Sequence, residues 1–176
     1  FCGFMLNSVC DLSNLQFSET MTINGYNNVG GVVGEIYESK VSGPTKIDFT
    51  NGHQSALPNF NDLSSLFNGK VNGTNSVGGF AGSINNSSVT GFAVNVNVTG
   101  STNVGGFAGK IQIGDSNDFI NSNASNGNVN GTGENVAGIV GNLELRSSSE
   151  SFNYEGFNNN IAYGEIRGGS NVSGVV

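Results

Sequence analysis

Apolar and polar positions recur along the chain in one spacing. "NVGGVVGEI" from Asn28, "SVGGFAGSI" from Ser76, "NVGGFAGKI" from Asn103 and "NVAGIVGNL" from Asn135 are near copies of one another. Counted from the motif Val, the fourth and eighth positions are bulky and apolar, as in Phe80 and Ile84 or Phe107 and Ile111. The seventh is polar: Glu35, Ser83, Lys110 or Asn142. Residues two or four apart share one face of a strand, so the pattern predicts strands with Phe and Ile turned inward and the seventh residue in solvent. The alignment extends upstream. "INGYNNVGGVVGEI", "VNGTNSVGGFAGSI", "VTGSTNVGGFAGKI", "VNGTGENVAGIVGNL" and "IRGGSNVSGVV" begin at Ile23, Val71, Val98, Val129 and Ile166. The opening "FCGFMLNSV" reads as a degraded further copy, with Phe1 in the Val slot, Gly3 on the shared Gly and Phe4 in the bulky slot.

Successive copies start 48, 27, 31 and 37 residues apart, a variable period that excludes a heptad or collagen register. The shortest interval holds about three short strands and three turns, the size of one coil of a β-solenoid. A single coil cannot bury its apolar face; neighbours stacked at about 4.8 Å complete the core. The expected fold is therefore all-β, a parallel β-solenoid (β-helix) of about five to six irregular coils with loop insertions, forming a single domain over residues 1–176. Val77, Phe80 and Ile84 should lie against Val104, Phe107 and Ile111 of the adjacent coil. Gly31, Gly79, Gly106, Gly138 and Gly174 share one slot, which predicts a corner where backbone bends or approaches backbone. Asn28, Asn103, Asn135 and Asn171, with Ser76 standing in, would form a side-chain amide ladder along the stack. The 48-residue interval reads as an excursion over about 37–67, with a helical turn near "NDLSSLF". Residues 112–128 and 144–160 read as Ser/Asn-rich loops.

Composition agrees with strands. The chain has 28 glycines, abundant Asn, Ser and Thr, no Trp and only 11% charged residues, so good helix formers are scarce. Hydrophobics at 36%, many of them Val, Ile and Phe, exceed what a disordered polar tract carries. A net charge of −7 with six Lys and Arg spread along the chain argues against a nucleic-acid partner. No apolar run approaches the ~20 residues of a bilayer span, so no membrane insertion is expected. No signal-peptide pattern opens the chain, which begins at Phe1 and so fits a processed form or an excerpt. Cys2 and Cys10 would close a small disulfide loop in an oxidising compartment; two buried thiols are the alternative.

The extended pattern resembles the GLUG repeat, a glycine-rich unit of the form small-Gly-x-Val-x-Gly, spacer, Val-Gly-Gly-Leu-Val-Gly. "AYGEIRGGSNVSGVV" (162–176) and "VNGTNSVGGFAGSI" carry the resemblance, with Phe, Val or Ile where the family usually has Leu. The resemblance implies a repeat array of a large surface or secreted protein, of the adhesin-like kind or attached to immunoglobulin-A-specific metallopeptidases. It implies architecture more strongly than activity.

Candidate chemistry is sparse. A zinc peptidase needs a motif such as H-E-x-x-H, yet His53 in "NGHQSA" is the only histidine. It reads as a loop residue, with a general base as the alternative. Asp115, Asn117 and Asp118 in "GDSNDF" could approach a cation or simply form an Asx-rich turn. Neither a metal site nor any other cofactor is expected, and the two cysteines have no histidine partner nearby. Phe119, Phe152, Tyr154 and Phe157 could contact carbohydrate or pack loops against the coil. Sequons for N-glycosylation stand at Asn72, Asn85, Asn86, Asn97, Asn123, Asn130 and Asn171, with Asn72 and Asn130 in the same repeat slot. The expectation is a non-enzymatic, extracellular or cell-surface structural or adhesive segment of a surface protein or self-assembling fibril. A glycan-binding module or a spacer array of a larger secreted protein is the alternative. Both end copies are incomplete, so the expected partners are identical subunits stacked head to tail or the remainder of a longer repeat chain, besides glycans.

Overall fold

The computed structural model describes residues 2–15, 20–44, 67–114, 118–146 and 156–176, arranged in five stacked turns of strand. The first turn is β1 (Cys2–Leu6), β2 (Val9–Asp11), β3 (Met21–Asn24) and β4 (Asn27–Gly30). The second is β5 (Val33–Tyr37), β6 (Lys40–Ser42), β7 (Phe67–Asn72) and β8 (Asn75–Gly78). The third is β9 (Ala81–Asn85), β10 (Ser88–Thr90), β11 (Ala93–Gly100) and β12 (Thr102–Gly105). The fourth is β13 (Ala108–Ile113), β14 (Ile120–Asn121), β15 (Ala124–Asn126), β16 (Val129–Gly131) and β17 (Glu134–Ala137). The fifth is β18 (Val140–Leu145), β19 (Phe157–Asn158), β20 (Ile161–Ala162), β21 (Ile166–Arg167) and β22 (Ser170–Ser173).

Equivalent strands of successive turns pair in parallel, giving four sheets along the stack. The first runs β1-β5-β9-β13-β18, the second β2-β6-β10-β14-β19 and the fourth β4-β8-β12-β17-β22. The third begins with β3, β7 and the long β11, whose two halves pair separately with β15 and β16. This is the parallel β-solenoid the pattern predicts.

The first three turns have four strands each rather than three, and the last two have five because the strand of the third sheet is split in two. Single residues in the left-handed region make the corners short, because they turn the chain from one sheet to the next within a residue or two. In the third turn Asn86, at φ 45°, separates β9 from β10, and Gly91, at φ 78°, separates β10 from β11.

The core register follows the repeat. Val77 pairs with Val104 and Ile84 with Ile111, while the rings of Phe80 and Phe107 lie 4.9 Å apart and 3° from parallel. All six side chains are fully buried. Of the polar seventh residues, Glu35, Lys110 and Asn142 are half-buried, and Ser83 is covered.

The corner slot serves close approach rather than unusual φ. Gly31, Gly79, Gly106 and Gly138 sit at the bend between the fourth and first sheets. A Cβ on Gly79 would stand 2.2 Å from the Gly106 carbonyl oxygen, and one on Gly106 would stand 2.2 Å from that of Gly138. The left-handed residue stands three positions earlier: Asn28, Ser76, Asn103, Asn135 and Asn171 have φ of 50°, 51°, 54°, 59° and 51°. Asn tolerates that region better than other side chains, which gives the slot a second reason to hold it.

Three expectations are corrected. The opening segment is displaced by three residues: Cys2 pairs with Val33 and Phe4 with Glu35, so Gly3 lies opposite Gly34 rather than in the corner slot, and Phe4 faces outward. Strand pairing with β1 sets this register, and it puts Met5 over Ile36 in the core. The excursion is shorter than 37–67, because Lys40–Ser42 pairs with the second sheet and the buried Phe67 opens β7. All of "NDLSSLF" before Phe67 lies outside the described residues. Finally, 112–128 and 144–160 are not wholly loop, since Ile120, Ala124 and Phe157 enter strands that complete the fourth and fifth turns.

Candidate functional surface

Parallel pairing repeats each outward residue one turn further on, so like side chains fall into rows. Asn126 donates through Nδ2 to Asn95 Oδ1 at 2.9 Å, and Asn95 to Asn68 at 2.8 Å. Asn72 donates to Asn24 at 2.9 Å and Asn75 to Asn27 at 3.3 Å. The ladder expected in the left-handed slot forms over three turns: Asn171 donates to Asn135 and Asn135 to Asn103, each at 2.9 Å. It does not pass Ser76. Asn28 turns instead to Glu35, which accepts from Asn28 at 3.0 Å and from Asn85 at 2.9 Å. These outer amide–amide bonds run one way, from a later turn to the one before.

A second pair of amides lies inside. Asn123 is fully buried; its Oδ1 accepts from the Phe92 amide at 3.1 Å, while Nδ2 donates to the Val89 carbonyl at 3.2 Å and to Asn160 Oδ1 at 3.1 Å. Buried polar groups need such partners, and here they tie the second sheet to the third. The sequon reading of Asn123 is corrected accordingly, because a glycan cannot be accommodated on a buried amide. Asn97, Asn130 and Asn171 are exposed, while Asn72, Asn85 and Asn86 are half-buried. Asn72 and Asn130 share one outward row through Thr99, as their repeat slot predicts.

The Cys2–Cys10 disulfide is not formed. Both residues are free thiols, half-buried against the core, and they lie on strands of different sheets. The Cys2 thiol donates to the Phe4 carbonyl at 2.9 Å.

Charges are few, and the ion pairs among the described residues are local. Lys110 and Glu144, on adjacent turns, form an ion pair at 2.7 Å, and Arg146 approaches the same carboxylate at 3.4 Å. The hydrogen bond from Lys110 holds the Glu144 carboxyl below its usual range. An open depression of about 410 Å³ is lined by Glu38, Ser39, Lys40, Asn86, Gly114 and Asp118. Its mixed charge and wide mouth differ from the enclosed, mainly apolar clefts that hold small-molecule ligands. Among the described residues no three His, Cys, Asp or Glu side chains gather as a metal site. Asp115, Asn117 and His53 lie outside the described residues.

Comparison of the chain with protein-family models, curated proteins and solved structures finds no match in any of the three.

The aromatic residues suggested for carbohydrate contact do not form a described strip. Phe119 is half-buried, Phe157 packs against the core, and Phe152 and Tyr154 lie outside the described residues. Tyr26 and Phe4 are exposed but belong to different faces of the first turn. Among the described residues no helix is long and apolar enough to cross a membrane. The signal that sequence reasoning missed was the left-handed slot: an Asn recurring three positions before a fixed Gly carries conformational as well as ladder information.

Proposed function

We propose that this chain is a non-catalytic structural or adhesive segment of an extracellular or cell-surface protein, built as a repeat array of the GLUG-like kind. The observation that supports the reading best is the outer surface. Uncharged amides and hydroxyls stand in register along the stack, bonded turn to turn, over a core closed by the inward Val, Ile and Phe rows. A regular polar exterior of this type keeps a rod soluble while its backbone groups are consumed in pairing along the axis. Its partners are identical subunits or further coils of a longer repeat chain, and in a secretory setting exposed Asn97 and Asn130 would carry glycans outward from the coil.

An antibody raised against the 176-residue chain should label intact, unpermeabilised cells or their shed material. Labelling that appears only after permeabilisation would overturn the extracellular reading.

A further inference from the structure

The sequons are not alike once the hydrogens of each amide are counted. An asparagine amide carries two N–H bonds, and an N-linked sugar replaces one of them. Asn123 spends both: Nδ2 donates to the Val89 carbonyl at 3.2 Å and to Asn160 Oδ1 at 3.1 Å. Asn85 does the same, donating to Glu35 Oε1 at 2.9 Å and to Ser83 Oγ at 3.2 Å. A sugar at either place breaks a hydrogen bond of the folded chain. Asn72 spends one hydrogen, on Asn24 Oδ1 at 2.9 Å. In such a ladder the carbonyl and the donated N–H point in opposite directions along the axis, so the remaining N–H points out from the sheet. Among the described residues no hydrogen bond leaves Nδ2 of Asn97 or Asn130, and Asn97 is held instead through Oδ1, which accepts from the Asn128 amide at 2.9 Å.

The third residue of each sequon divides the set in the same way. Thr99 and Thr132 are exposed and Thr74 is half-buried, whereas Ser87, Ser88 and Ser125, which follow Asn85, Asn86 and Asn123, are covered. Asn86 also has its Oδ1 buried. All three threonines belong to asparagines of the third sheet: Asn72 on β7, Asn97 on β11 and Asn130 on β16. None of these strands is outermost in its sheet. Asn171, on the fourth sheet, donates one hydrogen to Asn135 and stands apart from this group.

The three anchors share one face. Asn72 pairs with Thr99 and Thr99 with Asn130, so Asn72 and Asn130 stand two turns apart in one row, at about 10 Å. Asn97 lies two residues before Thr99 in the next outward row, roughly 8 Å from each. These spacings let three sugar rings stand side by side.

Resting on the extracellular reading above, we propose that the outer face of the third sheet is a glycan-bearing face, with N-linked oligosaccharides at Asn72, Asn97 and Asn130, while Asn85 and Asn123 stay bare. In the transfer, Nδ2 forms a bond to the anomeric carbon of an oligosaccharide carried on a lipid diphosphate. The anomeric C–O bond breaks, the lipid diphosphate leaves, and one amide proton is lost. The acceptor keeps one N–H, so Asn72 retains its bond to Asn24 and the ladder survives the modification. A cluster of sugars on this side excludes close sideways packing there and leaves the other faces to partners.

The 176-residue chain, directed into the secretory pathway of cultured animal cells, tests the proposal. The folded, protease-resistant fraction is isolated, digested and treated with a peptide-N-glycosidase in heavy-oxygen water, which converts each occupied Asn to mass-tagged Asp. Mass spectrometry should find the tag at Asn72, Asn97 and Asn130 in most molecules, and at Asn85 and Asn123 in none. Thr99→Ala should empty Asn97 and leave Asn72 and Asn130 occupied. A tag on Asn85 or Asn123, any of the three left bare in most molecules, or the lack of a folded glycosylated fraction would overturn the proposal. Such a result leaves the extracellular reading intact, because labelling of intact cells does not depend on which asparagines carry sugar.

Discussion

Phe107→Ala is expected to lower stability by about 3–5 kcal/mol, the range for deleting a buried aromatic ring. The ring is fully buried and lies stacked 4.9 Å from Phe80, so the substitution removes both transfer free energy and the coupling between two turns. Collapse into the void is limited because the strands on either side are held by the parallel ladder. Phe80 is itself packed at 4.3 Å against Phe92, which hinders its moving to fill the space. For a chain of this size the loss corresponds to a fall in melting temperature of roughly 6–20 °C. Tyr26→Ala, at a residue 69% exposed, should stay within about 0.5 kcal/mol of wild type. Equal melting curves for the two variants would reject the inward assignment.

Gly106→Ala should be nearly as damaging, although it adds a single methyl group. The new Cβ would stand 2.2 Å from the Gly138 carbonyl oxygen and 2.2 Å from Ser125 Oγ. Ser125 can rotate; the carbonyl cannot retreat without lengthening the hydrogen bonds of the turn that follows. Overpacking of a rigid site costs about 1–3 kcal/mol, and the involvement of backbone places this case near 3 kcal/mol. Chemical denaturation gives the comparison directly: the midpoint should fall clearly for Gly106→Ala and stay unchanged for Gly174→Ala, where no neighbour stands within 4 Å. Equal midpoints would mean that the slot holds glycine for another reason.

The fold was legible because its core is written at fixed offsets. Val77, Phe80 and Ile84 stand 27 residues before Val104, Phe107 and Ile111, and parallel pairing converts that equal spacing into stacking. What escaped is set by geometry that periodicity does not carry. Four strands fit in a turn because Asn86 and Gly91 make corners with φ of 45° and 78°, and an Asn in a polar run does not declare its φ. The opening segment was misaligned because "FCG" offers a glycine at a spacing that fits two slots, and only pairing of Met5 with Ile36 separates them. Asn123 looked like a surface acceptor because its neighbours are polar. Its burial depends on Asn160, 37 residues on, whose amide shares its hydrogen bonds. The expected disulfide rested on proximity in sequence alone, while the corner at Asn7 sends Cys2 and Cys10 to different sheets.

The central claim is the register of stacked turns, and paired spin labels test it most directly. With Cys2 and Cys10 replaced by Ser, cysteines at Lys70 and Asn97 can carry nitroxides on the exterior without entering the core. These two residues pair across β7 and β11, about 4.8 Å apart along the stack. The doubly labelled chain should give a continuous-wave spectrum strongly broadened by spin–spin interaction, and labels at Lys70 and Asn130 should give clearly weaker broadening. A Lys70–Asn97 spectrum equal to the sum of the two single-label spectra would contradict the stacked register.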